Sequence, residues 1–135
     1  MLSLEIITPK QVMLSAKVSQ VTLPGQAGEM GVFAGHLQLL TSLKSGVLRY
    51  RSEGKNYLMA VHYGFAQVNK DQVTVLANQA ETVEEIDLDT AVAEVESLMT
   101  QLKDAQNLSD DAAQLTKALN EAETRLAVAQ ENLAK

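Results

Sequence analysis

The sequence contains neither cysteine nor tryptophan among its 135 residues, and aromatic side chains make up only 4% of it. Without cysteine the chain can form no disulfide, thiolate nucleophile or cysteine-ligated zinc site. Few rings are available to stack on nucleic-acid bases, and a net charge of −6 opposes binding to a phosphate backbone. We therefore expect no nucleic-acid partner.

Long apolar runs are also missing. A run such as Leu58–Val61 is far shorter than the roughly 20 residues that a membrane-spanning helix needs. The opening MLSLEIITPK lacks the basic segment followed by an apolar stretch that marks an export signal. We expect contact with a membrane only through a partner.

Before residue 86, short β-rich runs alternate with glycine, proline and asparagine. The predicted strands are Leu2–Ile7, Val18–Leu23, Val47–Arg51, Tyr57–His62, Phe65–Val68 and Val73–Leu76. Short strands at this spacing predict an antiparallel β-sandwich or a flattened barrel.

From residue 86 onward there is no glycine or proline, and apolar residues recur at helical spacing. The stripe of the first predicted helix is Leu88, Val92, Val95, Met99 and Leu102. The stripe of the second is Leu115, Ala118, Ala122, Leu126, Ala129 and Leu133. The polar segment 106–110 predicts a turn between them, with Asp87 and either Ser109 or Asp110 as caps. Two helices joined so closely predict an antiparallel αα-hairpin.

The charge divides at the same point. Residues 1–85 carry seven acidic and seven basic residues, whereas residues 86–135 carry ten acidic and four basic ones. The whole net charge therefore lies on the helical part. We predict an α+β chain with two domains, a β-sandwich domain at residues 1–85 and a helical hairpin at residues 86–135.

The segment from Gly25 to Gly46 is rich in glycine and leucine. The spacing of Gly25, Gly28 and Gly31 suggests a phosphate-binding loop, but the Gly-Lys-Ser/Thr ending and the following helix are absent. We predict a loop with tight glycine turns. Its leucines either enter the β core or form an exposed apolar patch, and the pattern leaves both open.

No catalytic chemistry is evident. Neither His36 nor His62 has acidic residues at metal-ligand spacing, and there is no nucleophile-elbow motif. We predict no catalytic residue, no metal and no cofactor. Two alternatives remain: a free-standing β-domain that binds a ligand under a helical lid, and a small hydrolase that uses His36.

Several stretches match one known pattern in order along the chain. They are Leu4–Pro9, Gly28–His36, Leu39–Thr41, Leu43–Lys44, Gly46, Tyr63–Phe65, Val73–Ala77 and Ile86–Asp87. Together they resemble the epsilon subunit of rotary F-type ATP synthases. The resemblance covers essentially the whole chain.

The resemblance implies a noncatalytic rotor subunit of a proton-translocating ATP synthase, peripheral at the cytoplasmic face of a bacterial plasma membrane rather than at a plastid thylakoid. It implies that the β domain binds the gamma subunit and the ring of c subunits. The residues implied for this contact loop are Glu29, Gly31, His36, Thr41 and Lys44. The hairpin would regulate ATP hydrolysis by extending toward the catalytic alpha/beta head.

Three features depart from the family pattern. Gln38 and Ser45 stand where relatives often have proline. Relatives that bind ATP have an arginine at the start of the first helix, where this chain has Thr90. The resulting degenerate ATP motif consists of Ile86, Asp87, Thr90 and Ala91. We expect weak or absent ATP binding.

Inhibitory hairpins in this family are usually basic on the second helix. Here Lys117, Arg125 and Lys135 are accompanied by five acidic residues between positions 110 and 135. We expect weak inhibition, with Lys117 and Arg125 as the regulatory cations.

Overall fold

The computed structural model describes residues 1–35, 38–104 and 109–133. In chain order the elements are β1 (Leu2–Ile7), β2 (Val12–Val18), β3 (Gln20–Gly25), β4 (Gly28–Phe33), β5 (Leu39–Leu43), β6 (Gly46–Ser52), β7 (Lys55–Asn69), β8 (Gln72–Thr82), a 3-10 turn (Val83–Glu85), α1 (Leu88–Asp104) and α2 (Ser109–Leu133). The predicted α+β class, a β-sandwich followed by two helices, is confirmed. The chain forms two compact units, Met1–Thr82 and Val83–Lys135.

The strands of the first unit pair in the order β2-β1-β8-β7-β5-β3-β4, and β6 pairs with both β3 and β7. The pairs are antiparallel except that β1 lies parallel to β8. Alternate residues of each strand face a single core, which includes Leu4, Ile6, Val21, Leu23 and Val75. The first and last strands of the unit therefore lie side by side.

The long strand β7 replaces two strands that the sequence predicted, Tyr57–His62 and Phe65–Val68. Its first part pairs with β6 and its second part with β5. Between these parts, Tyr63 and Gly64 have φ angles of 59° and 133°. A Cβ at Gly64 would overlap the carbonyl oxygen of Leu76 in β8. Gly64 thus allows β7 to bend while remaining paired with β8, and predicting a break there was wrong.

The predicted loop from Gly25 to Gly46 is wrong for the half of it that forms β4 and β5, whereas the positive φ angles predicted for its glycines are present at Gly28 (133°) and Gly35 (81°). Glycine lowers the intrinsic preference for strand, but pairing and burial decide the outcome here. β4 pairs along the whole length of β3, and Val32 and Leu43 are buried in the core. The predicted strand Val18–Leu23 is in fact divided between the end of β2 and the start of β3.

In the second unit, Arg125 of α2 lies 3.4 Å from Glu94 of α1, as an antiparallel hairpin requires. The inward stripe of α1 differs from the prediction. Its members are Leu88, Ala91, Val95, Leu98 and Leu102, whereas Val92 and Met99 are exposed. Both stripes have helical spacing and are apolar, so periodicity alone could not separate them.

Five of the six residues predicted for the inward stripe of α2 are buried or half-buried, and Leu133 is exposed; Thr124 and Val128, which were not predicted, are buried as well. The predicted turn between the helices, and the side chains of Ser109 and Asp110 that were predicted as caps, lie outside the described part of the chain.

We predict that Gly64→Ala lowers the free energy of unfolding by at least about 2 kcal/mol, because the added Cβ overlaps the β8 backbone at a left-handed φ. The control is Gly31→Ala. A Cβ at Gly31 would lie 3.5 Å from the Phe33 ring, an ordinary contact, so its effect should stay within about 1 kcal/mol. Urea unfolding of both variants measures the difference. Equal losses of stability in the two variants would show that the close approach of β7 to β8 does not require glycine at position 64.

Candidate functional site

Four of the five residues predicted for the contact loop lie on or next to strands. Glu29 and Gly31 belong to β4, Thr41 belongs to β5, and Lys44 directly follows β5. His36 lies outside the described residues. These positions are therefore held by backbone pairing rather than by an irregular loop.

Pro24 in β3 brings Glu29 and Lys44 together. Glu29 is opposite Pro24 in the β3–β4 pair. On the other side, the backbone N–H of Lys44 donates to the carbonyl oxygen of Pro24 at 3.0 Å. Thr41 does not join them on the surface, because it is half-buried and lies on the same side of β5 as the core residue Leu43.

Glu29 forms an ion pair that the sequence analysis missed. The Arg49 Nη1 atom of β6 lies 2.9 Å from the Glu29 Oε1 atom, across the intervening strand β3. Exposed pairs of this kind contribute little to stability, typically about 0.2–1 kcal/mol. The pairing still fixes the direction of the Glu29 carboxylate. The charge pattern gave no signal for it, because the two strands are not neighbours along the chain.

Gly31 does not have the backbone conformation that requires glycine. The Phe33 ring, which is exposed, reaches back along β4 toward it. Gly31 leaves this part of the outer face of β4 flat.

A row of apolar side chains crosses the outer face of the sheet. Strand register places Phe65 of β7 opposite Leu76 of β8, Leu76 beside Ile7 of β1, and Ile7 opposite Val12 of β2. We call these four residues the apolar row. Each is outside the core cluster, and Phe65, Leu76 and Val12 are 54%, 51% and 55% exposed.

Leu40 of β5 extends this surface. It lies opposite Gln67, two residues beyond Phe65 on β7, and is exposed. Of the leucines whose place the sequence left open, Leu43 enters the core, Leu40 is on the surface, and Leu37 lies outside the described residues. Contiguous exposed apolar side chains on a soluble unit are typical of a contact with another macromolecule.

His62 is buried, with only 1% of its surface exposed. Its Nε2 atom lies 2.7 Å from Glu81 Oε1, and its Nδ1 atom lies 2.9 Å from Ser45 Oγ. The three residue types are those of a hydrolytic triad. A substrate could not reach the ring, however, so the geometry does not support nucleophilic catalysis at this cluster.

An open cavity of about 300 Å³ lies beside the end of β7 and is lined by Gln38, Leu39, Leu40, Gln67, Val68 and Asn69. Its volume is at the low end of the range for small-molecule sites. Gln38 donates to Asn69 across it at 2.9 Å. Within the described residues no group of histidine and acidic side chains could hold a metal ion.

The degenerate ATP motif acts structurally as a helix cap. The Thr90 backbone N–H and hydroxyl both donate to Asp87 Oδ2, at 3.0 Å and 2.6 Å. Asp87 therefore caps α1, as predicted. The hydrogen bond from the Thr90 side chain, and then that from its backbone, lower the pKa of the Asp87 carboxyl below its ordinary value of 3.8.

Of the two predicted regulatory cations, Arg125 is half-buried and paired with Glu94 within the hairpin. Lys117 lies on the exposed side of α2. Neither helix, over the residues that the structure describes, is long and apolar enough to cross a membrane.

A family model described as the ATP synthase, Delta/Epsilon chain, β-sandwich domain matches residues 1–83. The ATP synthase epsilon chain of Citrifermentans bemidjiense is 44% identical over 102 residues, which cover 76% of this chain and 74% of the relative. That of Nitratidesulfovibrio vulgaris is 40% identical over 121 residues, 87% of this chain and 90% of the relative. That of Synechococcus sp. strain CC9902 is 35% identical over 127 residues, 93% of each.

Solved structures agree with these relatives. A chain in the cryo-EM structure of the Euglena gracilis mitochondrial ATP synthase, OSCP/F1/c-ring in rotational state 1, superposes with a TM-score of 0.82 at 26% identity. The match covers 99% of this chain and 81% of that one. A chain of the Tetrahymena thermophila central stalk/c-ring structure, at 15% identity and a TM-score of 0.56, supports the fold alone.

The fold and these matches define a chain of the ATP synthase delta/epsilon type, with a β-sandwich followed by helices. The chain belongs to the ATP synthase epsilon chain family, whose members are subunits of that complex. The resemblance seen in the sequence is confirmed.

The lowered pKa of Asp87 gives a prediction with a definite sign. Because the folded chain favours the carboxylate, the cap stabilises α1 above pH 3.8, and this contribution is lost as the pH falls through the lower pKa of the folded state. Asp87→Asn keeps a capping side chain without a titrating charge. In an NMR titration the Thr90 amide should shift below pH 3.8 in the natural chain and not in the variant. A midpoint of the Thr90 amide titration above pH 3.8 would contradict the role of the Asp87 carboxylate as the cap.

Proposed function

We propose that this chain is a noncatalytic rotor subunit that joins the gamma subunit to the c-subunit ring of a proton-translocating ATP synthase. We place it peripherally, at the cytoplasmic face of a bacterial plasma membrane. Family membership supports the role, and the Euglena relative belongs to a complex described as OSCP/F1/c-ring. The observation that carries the proposal is the apolar row, because it offers a flat apolar surface on a rigid sheet.

The apolar row is the gamma contact in this proposal. Its four residues stand on four adjacent strands, so no loop has to be ordered when a partner binds. The loss of conformational entropy on association is therefore small. Phe65 is its centre, since aromatic side chains contribute most to such contacts. The polar residues Ser42, Gln67 and Thr74 border the row and supply the rim.

The surface around Pro24 is the ring contact. Glu29 and Lys44 present opposite charges on either side of this residue, and Gly31 keeps the neighbouring backbone accessible. Thr41 supports the surface from the core side of β5. His36 remains a proposed member of this contact by resemblance.

The hairpin is proposed to regulate ATP hydrolysis only weakly when it extends toward the alpha/beta head. Arg125 is already paired with Glu94, so part of its charge is neutralised within the hairpin. Asp87 and Thr90 are engaged with each other in the cap, and Thr90 occupies the position at which ATP-binding relatives have an arginine. A calorimetric titration of the chain with ATP should give no saturable heat at millimolar concentration.

Phe65→Ala tests the gamma contact. We expect gamma binding to weaken by at least roughly thirtyfold, the equivalent of about 2 kcal/mol for a central aromatic contact. Phe33→Ala is the matched control, since Phe33 is 57% exposed and lies on β4, away from the apolar row. Surface plasmon resonance with immobilised gamma measures both. Equal losses of affinity, or none for Phe65→Ala, would exclude the apolar row as the contact.

Removal of residues 86–135 tests the regulatory role. We expect ATP hydrolysis by the reconstituted complex to rise by no more than about twofold, because Arg125 is paired within the hairpin and acidic residues outnumber basic ones on α2. Steady-state hydrolysis assays on complexes with the full and the shortened chain provide the measurement. A rise of tenfold or more would show strong inhibition despite this charge balance.

A further inference from the structure

One acidic side chain lies on the outer face of the sheet, next to the apolar row. Glu5 of β1 is two residues before Ile7, so the two side chains are on the same face, about 7 Å apart along the strand. The alternation along β1 buries Leu4 and Ile6 in the core and leaves Glu5 half-buried on the other side. Glu5 therefore borders the surface that is proposed above to bind gamma.

The neighbours of Glu5 across the sheet carry no charge. Strand register places Ser15 of β2 opposite Glu5, Thr74 of β8 beside it, and Gln67 of β7 opposite Thr74. The Glu5 carboxylate makes no hydrogen bond or ion pair with any residue of the described ranges 1–35, 38–104 and 109–133. Its charge is therefore stabilised by the water on the open side of the sheet.

A basic residue on the same face is engaged with a different partner. Lys17 of β2 is opposite Ser3, two residues before Glu5 on β1. The Lys17 Nζ atom donates to the Ser3 Oγ atom at 2.6 Å and forms no ion pair with Glu5. The part of the chain that the structure describes thus supplies no counterion to Glu5.

A partner that covers the apolar row also removes water from Glu5, because the carboxylate lies beside Ile7 on the same face. A carboxylate that loses its water without gaining a counterion opposes binding. Tight binding on this surface therefore requires a positive group of the partner at the position of Glu5.

We propose that Glu5 forms the ionic contact of the gamma interface and binds an arginine side chain of the gamma subunit. The proposal rests on the rotor function argued above. A guanidinium suits this position better than an ammonium, because its planar fork donates two hydrogen bonds to one carboxylate. It is also weakly hydrated, so it can lie against apolar side chains such as Ile7 and Leu76. Arginine is enriched at protein interfaces, where lysine is depleted.

The ionic contact determines the orientation of gamma on the sheet. Apolar contacts are not directional, so a flat apolar partner surface could be turned on the apolar row with little loss of buried area. Glu5 borders the row on β1, two strands away from Phe65 on β7. A turned partner would bury both Glu5 and its own arginine without counterions, which is unfavourable. Glu5 is thus a specificity-determining residue, whereas Phe65 contributes affinity.

Surface plasmon resonance with immobilised gamma tests the ionic contact. Glu5→Gln keeps the size of the side chain and removes its charge. We expect the affinity for gamma to fall at least about tenfold at low ionic strength, because the arginine is left buried without a carboxylate. The affinity of the natural chain should also decrease more steeply with added salt than that of the variant, since salt screens the attraction between the two charges.

Glu53→Gln is the matched control, because it changes the net charge by the same amount. Glu53 is exposed in the turn before β7, away from the apolar row. We expect its effect on gamma affinity to stay below about twofold. Equal losses in the two variants would overturn the proposal, since long-range attraction by the net charge would explain them. An unchanged or higher affinity of Glu5→Gln would overturn it as well, because gamma would then leave Glu5 unpaired.

Chemical modification identifies the arginine. Phenylglyoxal reacts with accessible guanidinium groups, so mass spectrometry of the complex should find an arginine of gamma that the natural chain protects. Replacement of that arginine by alanine should weaken binding of the natural chain and cause no further loss with Glu5→Gln. Protection of no arginine, or additive losses in the double variant, would overturn the proposal.

Phe65→Ala separates the ionic contact from the gamma interface as a whole. If Phe65→Ala weakens gamma binding and Glu5→Gln does not, the interface stands and the ionic contact is refuted. If neither variant weakens binding, the apolar row is not the gamma interface and both proposals are refuted. If only Glu5→Gln weakens binding, the ionic contact stands and the role of Phe65 is refuted.

Discussion

The close approach of β7 and β8 at Gly64 is the constraint on which the rest of the β unit depends. Because of this approach, the first part of β7 pairs with β6 and the second part pairs with β5, while both parts remain paired with β8. The bend fixes where Phe65 emerges on the outer face and where His62 is buried. The proposed contact surface and the burial of His62 thus have a common geometric origin. A side chain at this one position would disturb both.

The two proposed contacts differ in chemistry because they lie on different parts of the same sheet. The apolar row crosses four strands whose inner faces fill the core, so its outer face is flat and rigid. The surface around Pro24 has backbone hydrogen bonds and an exposed ion pair instead. Apolar contact suits a permanent partner, whereas charged and exposed contacts suit a surface whose partner is partly hydrated. A subunit between two partners needs both kinds.

The sequence revealed the class of fold because its periods and its charge change together near residue 86. It also revealed the Asp87 cap, which depends only on neighbours three residues apart. It could not reveal the strands β4 and β5, because the glycines of β4 have low strand preference and β5 is a short strand whose partner β7 is distant in sequence. For the same reason it missed the Arg49–Glu29 pair, the apolar row and the His62 cluster. Each of these depends on strand register, which is a property of the assembled sheet.

The parallel pairing of β1 with β8 has a consequence for biosynthesis. Ser3 to Ile7 can pair with β2 early, but they can pair with β8 only after Gln72 to Leu76 have been made. Contacts between residues so far apart in sequence slow folding, because the intervening chain must be closed into a loop first. The N-terminal strand must therefore wait on the ribosome, with one edge unpaired, until almost the entire β unit has left the exit tunnel. A nascent chain of this protein is most exposed to misassociation during that interval.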